Sequence, residues 1–282
     1  MLKKINRLIY SHVILSTFLL VVAFVTVYSI FFILAADPTQ KVLLPGYAAA
    51  MSVWQLFISI IVIWVMCKIK VFNINDFSLK GLGKGLLLAW FAILLSIATF
   101  LMLLMQLPEN SLITPNVFHI SAIVLHTLCI GIFEETLTRG LVLKLLLKKM
   151  GNSKKGILVA CIVSSAFFGI AHVTNLLQGD SILQVAGRIL STATLGLYFA
   201  ALFLRTRTLW VPILVHMLVN LASYIINVIV SPDVLEQSAQ ATSNIAGSIV
   251  NRILLTVVFL VAGLILLRKV TPDNTVEMAN SA

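Results

Sequence analysis

Acidic residues are scarce in this chain: ten Asp and Glu stand against twenty Lys and Arg in 282 residues, and charged residues of both signs make up only 11%. A soluble domain carries roughly 25% charge and about 45–50% apolar residues. Here the hydrophobic share is 60% and the mean hydropathy is +1.06, which excludes an ordinary soluble protein. Cysteine is equally sparse. Cys67, Cys129 and Cys161 lie in or at the ends of apolar runs without metal-ligand spacing, so no disulfide framework exists and they read as small packing residues. The sequence also lacks a long soluble insertion, an internal repeat, a low-complexity tract and an HExxH zinc motif.

What remains is apolar chain. Runs of about 20 residues, enough to cross ~30 Å of hydrocarbon as helix, occur near 11–35, 47–67, 85–106, 117–143, 156–173, 182–204, 208–230 and 249–267. They are continuous, whereas barrel strands would alternate over ~10 residues. The expected fold is therefore all-α: a polytopic transmembrane helical bundle of about eight spans, the fifth the shortest. Residues 1–270 form one integral-membrane domain, and 271–282 a polar tail expected to be disordered. The first apolar run exceeds the 7–15 residues of a cleavable signal peptide, so it reads as a retained span.

A formal net charge of +10 raises the question of nucleic acid, but the basic residues sit in short loops beside spans. With the N-terminus in the cytoplasm, sixteen of the twenty fall on the cytoplasmic side. These include Lys68, Lys70, Lys80 and Lys84 after the second run, the group from Lys144 to Lys155 after the fourth, and Arg205 and Arg207 after the sixth. The opposite side holds Lys41, Arg188 and Arg252, and Arg139 is intramembrane. This is the positive-inside pattern. It predicts an integral membrane protein with both termini cytoplasmic, and no nucleic-acid partner. The loop 70–85 reads either as an interfacial segment along the headgroups or as a plain basic loop.

Against that background the stretch GIFEETLTRGL, residues 131–141, is anomalous. A charged side chain in mid-membrane costs roughly 2.5–3.5 kcal/mol on the insertion scale. Glu135 and Arg139 are four apart with the acid first, the favourable order for a same-helix ion pair. Glu134, rotated about 100° from its neighbour, projects from another face and is left free for chemistry. Two further runs carry polar groups at helical spacing: Phe168 and His172, then His216 and Asn220, with Ser223 and Asn227 continuing the second stripe. Three helices thus offer polar faces to a common interior. A single histidine on a membrane helix is ordinarily an interhelical donor, and His12, His119 and His126 read so, or as interfacial. Phe168 reads equally as packing, and Arg139 as structural.

A glutamate, two histidines and an amide suit hydrolysis. Glu134 can take a proton from water while His216 and Asn220 donate to the oxyanion forming at a carbonyl. Alternatively Glu134, His172 and His216 hold a divalent metal such as Zn²⁺ with an open position. Asn220 is a poor ligand for that ion, and the question of a cofactor stays open at this point.

Together these residues resemble the CPBP family of intramembrane proteases, named for CAAX prenyl protease and bacteriocin processing and also called Abi. Its motifs EExxxR, FxxxH and HxxxN read here as Glu134 to Arg139, Phe168 to His172 and His216 to Asn220, complete and in order. The resemblance covers about 117–230. It implies that Glu134 activates water, His172 helps hold it, and His216 with Asn220 stabilise the oxyanion, with Glu135 counted in the catalytic set and Arg139 and Phe168 in support. It also implies an endopeptidase acting on a membrane-associated peptide or prenylated protein within a bacterial cell membrane. Bacteriocin processing or self-immunity fits a chain without soluble insertions best. A non-catalytic immunity or scaffold protein and an ion-coupled transporter are the rival readings.

One spacing fits poorly. At about 1.5 Å per residue, Glu134 lies ~15 Å from Lys144 and His216 ~13 Å from Arg207, but His172 lies ~25 Å from Lys155.

Overall fold

The structure is a computed structural model that describes residues 2–34, 45–109, 111–231, 233–234, 245–273 and 275. Among these it contains helices and no strand. All eight apolar runs are helical, in the expected order. After a short amphipathic helix Leu2–Ser11 come the first span Val13–Leu34 and the second Pro45–Lys68. The third is a bent pair, Leu82–Leu88 and Trp90–Met105, with a 65° break between them. The fourth runs from Val117 to Met150, the fifth covers Lys154–Ala171, the sixth Ile182–Thr206 and the seventh Trp210–Tyr224. The eighth helix is Ile245–Leu267.

Six helices are long and apolar enough to cross a membrane, and the bent pair makes a seventh. The described apolar part of the eighth, Arg252–Leu267, is shorter than that. The fifth, expected to be the shortest, continues through a 3-10 segment and qualifies over Lys154–Leu177. Most of the expected connections 37–46 and 231–244 lies outside the described residues.

Local chemistry sets where the helices begin. The Asn116 side chain accepts from Phe118 N, Ser153 caps the fifth helix, and Ser181 with Gln184 forms a reciprocal capping box at the sixth. Apolar burial contributes little to helix association within lipid, so packing and interhelical polar contacts take over. The fourth span packs between the second and the seventh, and the sixth between the fifth and the eighth. Gly131 marks the close approach of the fourth and seventh spans, since a Cβ there would lie 2.8 Å from the Ile213 carbonyl oxygen.

The loop after the second span is anchored to the bundle. Its single acid, Asp76, turns inward on a 3-10 turn and meets Lys144 Nζ at 2.6 Å, with both side chains buried. Burial pushes the Asp76 carboxyl above the ordinary range, and the Lys144 ammonium opposes that rise. The Asp76 carbonyl accepts from Leu209 N at 2.6 Å, Thr208 Oγ1 donates to Ser78 O and Trp210 Nε1 to Phe77 O. Two inter-span connections and the fourth helix are thereby tied together at the basic end.

This corrects the depth measure taken from sequence. Lys144 is 1% exposed and no marker of the membrane surface, because the fourth helix continues to Met150. Counted from Met150, Glu134 lies ~24 Å along the helix at about 1.5 Å per residue, which matches His172. A second correction concerns the tail. Thr275 is buried and its hydroxyl donates to Gly151 O at 2.7 Å, so the chain is held at least that far, while 276–282 lie outside the described residues.

Candidate active site

The two glutamates diverge as their helical positions require. Glu135 is fully buried, and its Oε1 accepts from Arg139 Nη1 and pairs with His216 Nδ1, each at 2.9 Å. The Glu134 side chain is 23% exposed, and its Oε2 lies 3.6 Å from His216 Nε2. The seventh helix therefore presents one imidazole to both carboxylates. Helical side chains lean toward their own N-terminus. The fourth and seventh spans run antiparallel, so Glu135 and His216 lean toward each other across the Gly131 contact.

Arg139 completes the network. Its Nη2 donates to Gly196 O at 2.9 Å, which brings in the sixth span, and Nη1 also donates to Thr138 Oγ1. Its guanidinium stacks 4.7 Å from the Phe168 ring centroid and 5.5 Å from that of Phe199. Arginine buried among lipid-embedded helices requires such partners, because an unpaired charge there is costly, although its Nε makes no hydrogen bond. The segment Thr136–Leu143 is π-helical, a wide turn frequent at functional sites. It lies directly after the glutamates, and Ser164 Oγ of the fifth span donates to the Thr138 carbonyl at 2.9 Å.

Phe168, which the sequence left between packing and function, is 2% exposed and presents its ring to both histidines, at 5.3 Å from His172 and 5.9 Å from His216. His172 follows the last turn of the fifth helix. Its Nδ1 lies 3.0 Å from Phe168 O. A carbonyl only accepts, so that nitrogen carries the proton and the neutral ring keeps Nε2 as an acceptor.

Glu134, Phe168, His172, His216 and Asn220 line one cavity of about 220 Å³. Glu135, counted with them from sequence, does not line it and pairs with His216 behind it instead. The polar stripe expected beyond Asn220 does not reach the cavity either: the helix ends at Tyr224, Ser223 is exposed, and Tyr224 takes the wall position. Sequence reasoning also missed four wall residues: Tyr28, His126, Asn175 and Arg188. His126 was read as structural or interfacial, and Arg188 only as a loop charge. Tyr28 and Arg188 come from the first and sixth spans, far from the motifs in sequence, whereas His126 precedes Glu134 on the same helix and Asn175 shares the 3-10 segment of His172, so spacing carries a signal for those two.

Among the described residues no group of three His, Cys, Asp or Glu side chains stands close enough to hold a metal ion. Glu134, His172 and His216 share the cavity without being gathered into such a set, so this arrangement does not fit a bound divalent ion.

The arrangement offers a partly exposed carboxylate, an acceptor imidazole, a second imidazole held by a buried carboxylate, and a carboxamide, around a space large enough for water. Residues 116–222 match the family model described as type II CAAX prenyl endopeptidase Rce1-like, which is consistent with a CPBP-family intramembrane protease. No curated protein and no solved structure matches the chain.

Proposed function

We propose that this integral membrane protein is an endopeptidase that hydrolyses a peptide bond of a membrane-associated peptide or protein by means of a glutamate-activated water. The observation that carries this reading is the Glu134 carboxylate, 3.6 Å from His216 Nε2 in a cavity shared with His172 and Asn220, inside the segment that the family model matches.

In this mechanism Glu134 takes one proton from water, whose other hydrogen is accepted by His172 Nε2. The hydroxide adds to the carbonyl carbon. The resulting oxyanion accepts hydrogen bonds from the Asn220 amide and from His216 Nε2. The Glu135 carboxylate accepts the hydrogen bond from Nδ1–H, so in this scheme His216 donates from Nε2 as an imidazolium. Glu134 then passes its proton to the amine as the C–N bond breaks, so protons balance and the enzyme is regenerated. Arg139 holds Glu135 in place and touches no substrate in this scheme.

Bacteriocin processing or self-immunity is the physiological setting proposed. The test compares peptide termini of membrane proteins in cells carrying wild type or Glu134→Gln. Termini present only with wild type are the expected result. An unchanged set of termini, with the variant present at wild-type levels, rejects the peptidase. Protection that survives Glu134→Gln favours a non-catalytic immunity factor.

A further inference from the structure

The cavity belongs to one end of the bundle. Its floor is Leu137, Thr138 and Phe168, and its walls are drawn from particular halves of the helices. The first span contributes Val21 and Val25 from its middle and Tyr28 toward its C-terminal end, and the second contributes Tyr47 and Met51 from its first two turns. The fourth contributes nothing after Thr138, and the fifth only its last turn and the 3-10 segment beyond. Arg188 sits in the second turn of the sixth, while Asn220 and Tyr224 lie in the later half of the seventh. Every one of these halves leads to connections 35–44, 106–116, 172–181 or the segment after 230. None leads to the basic loops.

The basic end is shut. Leu141, Leu143, Leu145, Leu146, Leu209 and Ile213 are each 0% exposed below the cavity floor. The Asp76–Lys144 pair and the Thr208 hydrogen bonds close the bundle beneath them. The other end is polar and partly open. Arg188 pairs with Asp180 at 3.2 Å, their side chains 39% and 31% exposed, beside Thr174 and Asn175 on the cavity wall. A charge pair at that degree of exposure belongs to a wetted entrance.

From this geometry we infer that the cavity opens on the face opposite the basic loops, the extracytoplasmic face under the positive-inside rule, and that it admits a peptide segment presented from that side. The assignment of a peptide rests on the peptidase reading. The direction of opening does not.

The test labels the full chain in intact bacterial cells with a membrane-impermeant maleimide, using Thr174→Cys on the cavity wall, Leu177→Cys just beyond it and Lys149→Cys at the basic end. Leu177 and Lys149 are exposed, and the native Cys129 and Cys161 are buried, while exposed Cys67 at the basic end is replaced by serine. Thr174→Cys and Leu177→Cys are expected to label before lysis and Lys149→Cys only after it. Labelling of Lys149→Cys before lysis, or of Thr174→Cys only after it, overturns the proposal. So does a Thr174→Cys that never labels while Leu177→Cys does. The labelling pattern needs no cleavage, so it stays informative even where Glu134→Gln changes no peptide termini.

Discussion

Two adjacent, chemically identical residues are given opposite tasks by a rotation of about 100°. Glu134 keeps 23% of its side chain exposed in the cavity, whereas Glu135 is fully buried between Arg139 and His216. In the proposed mechanism the first exchanges a proton. The second pairs with the Arg139 guanidinium and holds His216 by its Nδ1, which leaves Nε2 to face the substrate in that mechanism. Glu135 is therefore a positioning residue, and its loss should lower kcat by about 10²–10⁴, the range of a displaced acid–base group, without raising KM. Kinetics of Glu135→Gln on a substrate identified through Glu134-dependent termini checks this. Residues that act as one unit are not additive, so Glu135→Gln should have little further effect in a His216→Ala background. Independent losses in the double variant would show that Glu135 works through something other than His216.

At the scale of helices, the site depends on how closely the fourth and seventh spans approach. Gly131 permits that approach, because any Cβ would press on the Ile213 carbonyl oxygen at 2.8 Å, a backbone atom that cannot rotate away. Gly131→Ala should separate the pair and stretch the Glu134–His216 and Glu135–His216 distances together. A displacement of about 1 Å costs on the order of 10²-fold in rate, so a drop of that size is expected, and wild-type activity in the variant would count against this packing. The sequence makes the helices legible because hydrocarbon demands continuous apolar runs. It makes Glu134, His172, His216 and Asn220 legible because polar groups stand out against those runs. It does not reveal the close pairing of helices far apart in the chain, and so it hides Tyr28 and Arg188. Lys144 misleads for a related reason: a lysine at the edge of an apolar run resembles a surface marker until Asp76, 68 positions earlier, is found beside it.

The whole molecule divides the work between its two ends. The basic end is a lock of buried polar contacts: Asp76 with Lys144, Thr208 and Trp210 on the 76–78 backbone, and Thr275 on Gly151. The chemistry sits in the other half, above the packed floor. Stability and activity should therefore separate under mutation. Asp76→Leu leaves Lys144 as an uncompensated buried charge, a loss of about 3–5 kcal/mol for a pair broken on one side. At roughly 2–4 °C per kcal/mol for a protein of this size, thermal unfolding in detergent should begin on the order of 10 °C lower. Glu134-dependent cleavage measured well below that temperature should remain within a fewfold of wild type. Glu134→Gln should do the reverse, sparing the unfolding temperature and abolishing cleavage, because Glu134 supports none of the contacts that hold the basic end. If Asp76→Leu instead abolished cleavage while the bundle stayed folded, the two ends would be coupled, and the floor between them would have to transmit a shift of the fourth span to Glu134.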